Sequence, residues 1–164
     1  MNPSDFNPEI IPAPQLEFAF ALRVRFSKRV KMGTLPNGSI RGYTGVVGGE
    51  VTGPKLNGTV VPDSGGDYPM YWPNGAVEFT ANYMLQADDG TLILVKNRGF
   101  RFATPEVTAR MERLDPVDTS EYYMRLAPFF EAPVGKHDWM NRTVFVGTAS
   151  RQADHSVFRF WQVM

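Results

Sequence analysis

The chain has 164 residues, and its 17 Lys and Arg balance its 17 Asp and Glu with no basic stripe, which argues against nucleic acid or an anionic membrane as the main partner. It has no cysteine, so disulfides and thiolate metal sites are excluded, and its two histidines, His137 and His155, are too few for a histidine-rich metal centre. No apolar run approaches the roughly 20 residues of a membrane span, and the opening MNPSDFNPEIIPAPQ lacks the marks of a signal peptide. The expected location is therefore the cytoplasm.

Residues 1–15, rich in Pro and Asn, read as an arm, and 16–164 as one domain. Leu16 to Phe26 alternates strictly, with Leu16, Phe18, Phe20, Leu22, Val24 and Phe26 on one side, and predicts a long strand. Pro36-Asn37-Gly38 is a turn. A glycine-dense run from Ile40 to Thr52 follows, with Gly48-Gly49 marking a bulge or bend. Gly53-Pro54 breaks it and Leu56 to Val61 resumes. The stretch DSGGDYPMYWPNG, residues 63–75, reads as a long loop between strands, with turns at Gly65-Gly66 and Pro73-Asn74-Gly75. Strands at 76–87 and 91–102 flank Asp88-Asp89-Gly90, a hairpin signal. Thr104-Pro105 offers a cap and first-turn proline for a short helix over 106–114. Strands at 121–130, 142–151 and 156–163 complete the chain.

About eight to ten antiparallel strands with one short helix and no βαβ pattern predict an all-β fold, a single antiparallel β-barrel. The chain carries 12 Phe, 6 Tyr and 3 Trp, which call for a large core, a pocket, or both. A two-residue loop at Asp89-Gly90 sets a hairpin register in which Leu85 opposes Leu94 and Glu78 opposes Arg101. One face then holds Val77, Phe79, Tyr83, Leu85, Leu94 and Phe100 with Lys96 and Arg98. The other holds Glu78, Thr80, Asn82, Met84, Val95, Asn97 and Arg101. Either the aromatic face is the core, or Thr80, Asn82 and Asn97 line a lumen. In the second case the aromatic face needs cover, from the arm, the helix or another copy of the chain, so a homo-oligomer is expected.

Several segments together resemble the DUF3237 family: GGEVTGPKLNG (48–58), GGDY (65–68), YMLQADDGTLI (83–93), YYMRLAPFFE (122–131) and WMNRTVFVG (139–147). They follow the family's order and span residues 48–147. The resemblance implies an antiparallel, calycin-like barrel, commonly oligomeric, and no general chemistry. It keeps an acid at Asp67, with Tyr68 where the family pattern carries tryptophan. An Asp-x-Arg pair of the family falls on Thr80 and Asn82 here, which implies a different substrate. Arg125, Glu131, Trp139 and Asn141 are retained, and the alternation of polar residues in the pattern supports the lumen.

No nucleophile elbow, P-loop, dinucleotide fingerprint or metal cage is present. Asp67, beside Tyr68, Tyr71 and Trp72, is a carboxyl whose pKa desolvation would raise, fit to move a proton at neutral pH; its structural alternative is a bond to its own turn backbone. Arg125, mid-strand among apolar residues, needs a partner: Glu131, Asp67, or a ligand oxygen. Tyr68, Trp72, Asn82, Tyr123, Trp139 and Asn141 complete the expected substrate-binding set. Glu78 and Arg101 read as a cross-strand ion pair. His137 reads as a solvated loop residue or an acid–base group at the barrel mouth, and His155 as structural. The expected function is a cofactor-independent lyase, isomerase or cyclase. Asp67 and Arg125 would act on a hydrophobic, aromatic or polyketide-like small molecule inside the barrel, with no metal. The alternatives are a non-catalytic carrier with the same cavity and a structural oligomer with a filled barrel.

Overall fold

The computed structural model describes residues 12–152 and 154–164, so residues 1–11 of the expected arm lie outside the described residues. The strands are β1 (Leu16–Phe26), β2 (Val30–Thr34), β3 (Ile40–Thr52), β4 (Gly58–Val60), β5 (Gly66–Asp67), β6 (Met70–Tyr71), β7 (Val77–Ala87), β8 (Leu92–Ala103), β9 (Tyr122–Glu131), β10 (Phe145–Arg151) and β11 (His155–Val163). One helix, α1 (Pro105–Glu112), lies between β8 and β9.

All neighbours are antiparallel, in the order β1-β11-β10-β9-β8-β7-β4-β3-β2, and pairing of β1 with β3 closes the circle. The short strands β4, β5 and β6 share one place in the wall, each pairing β3 on one side and β7 on the other. The result is an eight-stranded closed barrel, with β2 as an extra strand on the edge of β3. Closure removes the unpaired edges that an open sheet would expose.

Two local irregularities set which side chains face inward. In β1 the register against β11 shifts between Phe18 and Phe20, so Ala19 and Phe20 are both buried. Leu16 and Phe18 therefore turn outward, although strict alternation predicts them inside. The β1–β3 ladder shifts between Arg25 and Phe26, next to the Gly48-Gly49 bend expected from the sequence.

The β7–β8 hairpin differs from its predicted form. Ala87 and Thr91 close a three-residue loop, with the Ala87 N–H donating to Thr91 O at 2.9 Å and the Gly90 N–H donating to Ala87 O at 2.8 Å. Gly90 takes φ +86°, the left-handed conformation such a loop requires. Leu85 thus pairs with Ile93, and Val77 with Arg101. A slip of one residue exchanges the two faces of β8 relative to β7. Val77, Phe79, Ala81, Tyr83 and Leu85 share the interior with Ile93, Val95, Asn97 and Arg101, while Lys96, Arg98 and Phe100 point out. Glu78 is consequently paired with Arg98 outside, at 2.8 Å, and not with Arg101.

α1 starts where the sequence predicts, with the Val107 N–H donating to the Thr104 hydroxyl. It buries Val107 and Met111 against Tyr122 over one end of the barrel. The opposite end is packed with Phe20, Phe130, Phe145 and Phe160 in edge-to-face contact, and a short 3-10 turn over Asp138–Arg142 closes it with Trp139 and Met140. Among the described residues no helix is long and apolar enough to cross a membrane.

Candidate active site

Under α1 the barrel interior opens into a cavity of about 390 Å³, within the range of small-molecule sites. Its apolar wall comes from Phe26 on β1, Phe79 and Ala81 on β7, Met111 on α1, Met124 and Leu126 on β9, and Phe158 on β11. Its polar groups come from Arg29 in the turn after β1, Asp67 on β5, Tyr83 on β7, Asn97 and Arg101 on β8, Arg151 at the end of β10, and His155 at the start of β11.

Asp67 reaches this cavity because the expected loop 63–75 is part of the wall. Gly66 and Asp67 sit between Thr44–Gly45 of β3 and Ala81–Asn82 of β7. The approach is close: a Cβ on Gly65, whose φ is +154°, would lie 2.0 Å from Asn82 O. Strand alternation then turns Asp67 inward and Tyr68 outward. Asp67 Oδ1 accepts the Thr80 N–H at 3.0 Å, which ties the carboxyl to the neighbouring strand. Burial pushes its pKa up from 3.8 to about 6, against the opposing pull of the Thr80 N–H, Arg29, the Tyr68 N–H and Arg41.

Arg29, Arg101 and Arg151 make no ion pair among the described residues. Arg101 is only 7% exposed. Burial lowers the pKa of Arg101 and of Arg151, and the neighbouring Arg29 pushes both in the same direction. Tyr83 Oη, Asn97 Oδ1 and Arg29 Nε are buried with no hydrogen-bond partner in the protein. Burial, reinforced by Asp67, raises the Tyr83 pKa, so its hydroxyl stays neutral and able to donate. At the mouth, His155 Nδ1 lies 2.6 Å from Asp154 Oδ1.

Of the eight residues the sequence nominates, the cavity brings in Asp67. Arg125 is on the outer face of β9, because the inward parity of that strand belongs to Tyr122, Met124, Leu126 and Phe130. Its guanidinium lies 5.3 Å from the Tyr123 ring centre, and its Nη1 donates to Met124 O at 3.0 Å. The expected Arg125–Asp67 couple is not formed, and Glu131 pairs with Lys96. Tyr68 packs outside on Tyr43, with ring centres 4.9 Å apart, and Trp72 and Tyr123 are exposed. Asn82 points outward opposite Lys96, as does Thr80. Trp139 sits at the far end against Phe145, and Asn141 caps backbone there: its Nδ2 donates to Ala132 O and Asp138 O, and its Oδ1 accepts the Ala132 N–H. His137 is not solvated; it is buried, with Nε2 2.9 Å from Asp89 Oδ2 at the β7–β8 loop.

Arg29, Arg101, Arg151 and His155 are the residues that sequence reasoning missed at this site. For Arg101 a signal exists: β-branched Ile93 and Val95 share its parity, whereas Leu92, Leu94, Lys96, Arg98 and Phe100 form the charged face. Nothing local marks Arg29 or Arg151, since both lie where strands end.

These features define a class: a small closed antiparallel barrel, packed solid at one end and holding at the other an arginine-lined cavity with the Asp67 carboxyl on its wall. The chain belongs to the family described as "Protein of unknown function (DUF3237)", whose model matches residues 14–163. It is similar to the UPF0311 protein RPA1785 of Rhodopseudomonas palustris, 33% identical over 153 residues that cover 93% of this chain and 99% of the relative. The crystal structure of RPA1785, a conserved protein of unknown function, superposes with a TM-score of 0.88 at 32% identity, covering 93% of this chain and 99% of that one. A protein with unknown function from Clostridium acetobutylicum follows at TM-score 0.82 and 29% identity, covering 93% and 100%. A β-barrel-like protein from Acinetobacter baumannii gives 0.81 and 27%, covering 97% and 99%.

Proposed function

We propose that the protein is a proton-transfer enzyme of lyase, isomerase or cyclase type whose reacting groups are its own side chains. Its substrate is a hydrophobic, aromatic or polyketide-like small molecule held in the barrel. The observation that carries this reading is Asp67, a carboxyl on the cavity wall with its pKa raised to about 6 by burial. Such a group takes a proton from carbon or oxygen near neutral pH and returns it, because its pKa lies close to the working pH. Arg29, not the Arg125 expected from the sequence, is the electrostatic partner: its charge acts on Asp67 and its Nε is unpaired at the cavity. A guanidinium there stabilises a developing enolate or phenolate without having to reorganise. Tyr83 Oη and Asn97 Oδ1 are free to orient the substrate.

The test uses 2-tetralone, an apolar aromatic ketone with exchangeable α-hydrogens, in deuterated water. Wild-type protein accelerates the exchange seen by NMR, with a rate that rises through pH about 6. Asp67→Asn binds the ketone and loses about 10²–10⁴-fold of that acceleration. Binding without exchange by the wild type identifies a carrier, which is the second reading of the same cavity.

The homo-oligomer expected from the sequence is best supported by the outer face of β8 and β9, where Phe100, Phe102, Tyr123 and Phe129 are exposed, Phe129 to 67%. A monomer in sedimentation velocity at high protein concentration sinks that assembly.

A further inference from the structure

We infer that the ligand of this cavity is an organic acid, a carboxylate carried on an apolar body, with the acid group held among Arg29, Arg101 and Arg151. The inference rests on the cavity being the working site, and it names the substrate class that the proton-transfer reading leaves open.

The argument begins with charge. Four cationic side chains line the cavity, Lys28, Arg29, Arg101 and Arg151, against two carboxylates, Asp67 and Asp154. Asp154 is engaged by His155 at the mouth, which leaves Asp67, ionised at neutral pH with its pKa of about 6, as a single negative charge to offset them. The guanidiniums are therefore in excess at neutral pH. The charge of Glu112 also acts on Arg101, but Glu112 lies outside the lining and faces Lys31 at 3.9 Å. A buried cation short of counter-charge costs several kcal/mol, and such a cost persists where an anion is brought in from outside. Arg29, Arg101 and Arg151 line the same cavity, where burial, with the charge of Arg29 added, disfavours the charged forms of Arg101 and Arg151. Tyr71 stands beside them, with the Arg29 guanidinium carbon 5.8 Å from its ring centre. As a neutral phenol, its own pKa raised chiefly by burial, it does not neutralise them.

Shape and wall chemistry choose among anions. Guanidinium forks bind planar carboxylates through two parallel N–H bonds, and they also bind phosphate. Phe26, Phe79, Met111, Met124 and Phe158 face the same space, and a small hydrated ion would leave them in contact with water. A carboxylate with an apolar, preferably aromatic, body satisfies both sets of residues. Three unpaired polar atoms, Tyr83 Oη (1% exposed residue), Asn97 Oδ1 (6%) and Arg29 Nε, then give it fixed donors and an acceptor.

Three probes test this by titration calorimetry at pH 7.5: 2-naphthoate, its neutral isostere 2-naphthamide, and inorganic phosphate. The naphthoate is expected to bind at least tenfold tighter than the amide and to weaken as salt is raised. Arg101→Gln and Arg151→Gln should each reduce naphthoate affinity tenfold or more and change amide affinity less than about twofold. Arg125→Gln, on the outer wall, should change neither. Should Arg101→Gln not fold, Arg151→Gln, at the strand end, carries the same comparison. Equal binding of acid and amide, or binding of neither, overturns the inference. So does phosphate that displaces naphthoate at comparable concentration, which identifies an inorganic-anion site. Asp67→Asn should bind naphthoate at least as well as wild type, since it removes a negative charge. Acid selectivity without ketone exchange defeats the enzyme reading alone, and exchange without acid selectivity defeats this one alone.

Discussion

The two ends of the barrel are built from the same strands and differ in what those strands carry. Along β8 the inward residues run Ile93, Val95, Asn97, Gly99, Arg101; along β7, in the opposite direction, they run Leu85, Tyr83, Ala81, Phe79, Val77. At the Ile93 and Leu85 end, rings of Phe20, Phe130, Phe145 and Phe160 fill the space, and a 3-10 turn seals it. At the Arg101 end, Arg29, Asp67, Asn97, Arg101 and Arg151 share the interior with apolar side chains that do not close over it, and a cavity of about 390 Å³ remains. A barrel of eight strands is just wide enough for side chains to fill. A cavity at one end therefore arises from substitution, one inward position at a time. The difference teaches that stability and function are separated along the barrel axis: the aromatic end holds the fold, which lets the other end keep unpaired guanidiniums and a carboxyl out of water.

That division can be broken most directly by truncating one phenylalanine at each end. Phe160 is fully buried, with ring centres 5.6 Å from Phe20 and 5.8 Å from Phe130. Phe160→Ala leaves a new void in a close-packed cluster and should cost about 3–5 kcal/mol in urea denaturation. Phe79 is half-buried and faces space that is already empty. Phe79→Ala enlarges an existing cavity and should cost less than half as much. Equal losses would mean that the cavity end contributes to the core as fully as the other.

How far this division could be read from sequence follows from the kind of signal each end leaves. The barrel itself was legible, because long alternating strands, Gly-Pro and Asp-Gly breaks and a capped helix are local features. The family resemblance agreed with them. The aromatic end was legible only as composition. Arg125 looked buried because Met124 and Leu126 flank it, but neighbours along a strand occupy the opposite face, so apolar neighbours are evidence for an outward residue. The β7–β8 faces were exchanged by one residue of loop length. Asp89-Gly90 fits a two-residue turn as well as the last two positions of a three-residue one. In the three-residue form the Thr91 N–H donates to Asp89 Oδ1 at 3.0 Å, and His137 holds the same carboxylate. That contact joins residues 48 positions apart and leaves no local trace. In the sequence Asp67 stands out by the family resemblance and by its neighbours Tyr68, Tyr71 and Trp72, of which Tyr68 and Trp72 are exposed. Its desolvation comes instead from the strands on either side of it.

A finer test sharpens the comparison at Asp67 itself, since a group serving the cavity should weaken the fold where a core residue would strengthen it. The carboxyl has a folded pKa of about 6 against an ordinary 3.8, so between those values the folded state holds more protons than the unfolded chain. Stability is then fully present below pH about 4, falls as pH rises towards 6, and is level above that. A shift of about two units corresponds to at most roughly 3 kcal/mol, and the half-buried position reduces it to about 1–3 kcal/mol. Asparagine keeps the acceptor for the Thr80 N–H and cannot ionise. Asp67→Asn should therefore be more stable than wild type by about 1–3 kcal/mol at pH 8, with the gain vanishing by pH 4, as urea denaturation at the two values would show. A gain that does not change with pH would trace to packing, and a loss at pH 8 would mean that the Arg29 and Arg41 charges outweigh desolvation. In that second case the carboxyl would sit below its ordinary pKa, as a structural counter-ion, and proton transfer near neutral pH would lose its chemical basis.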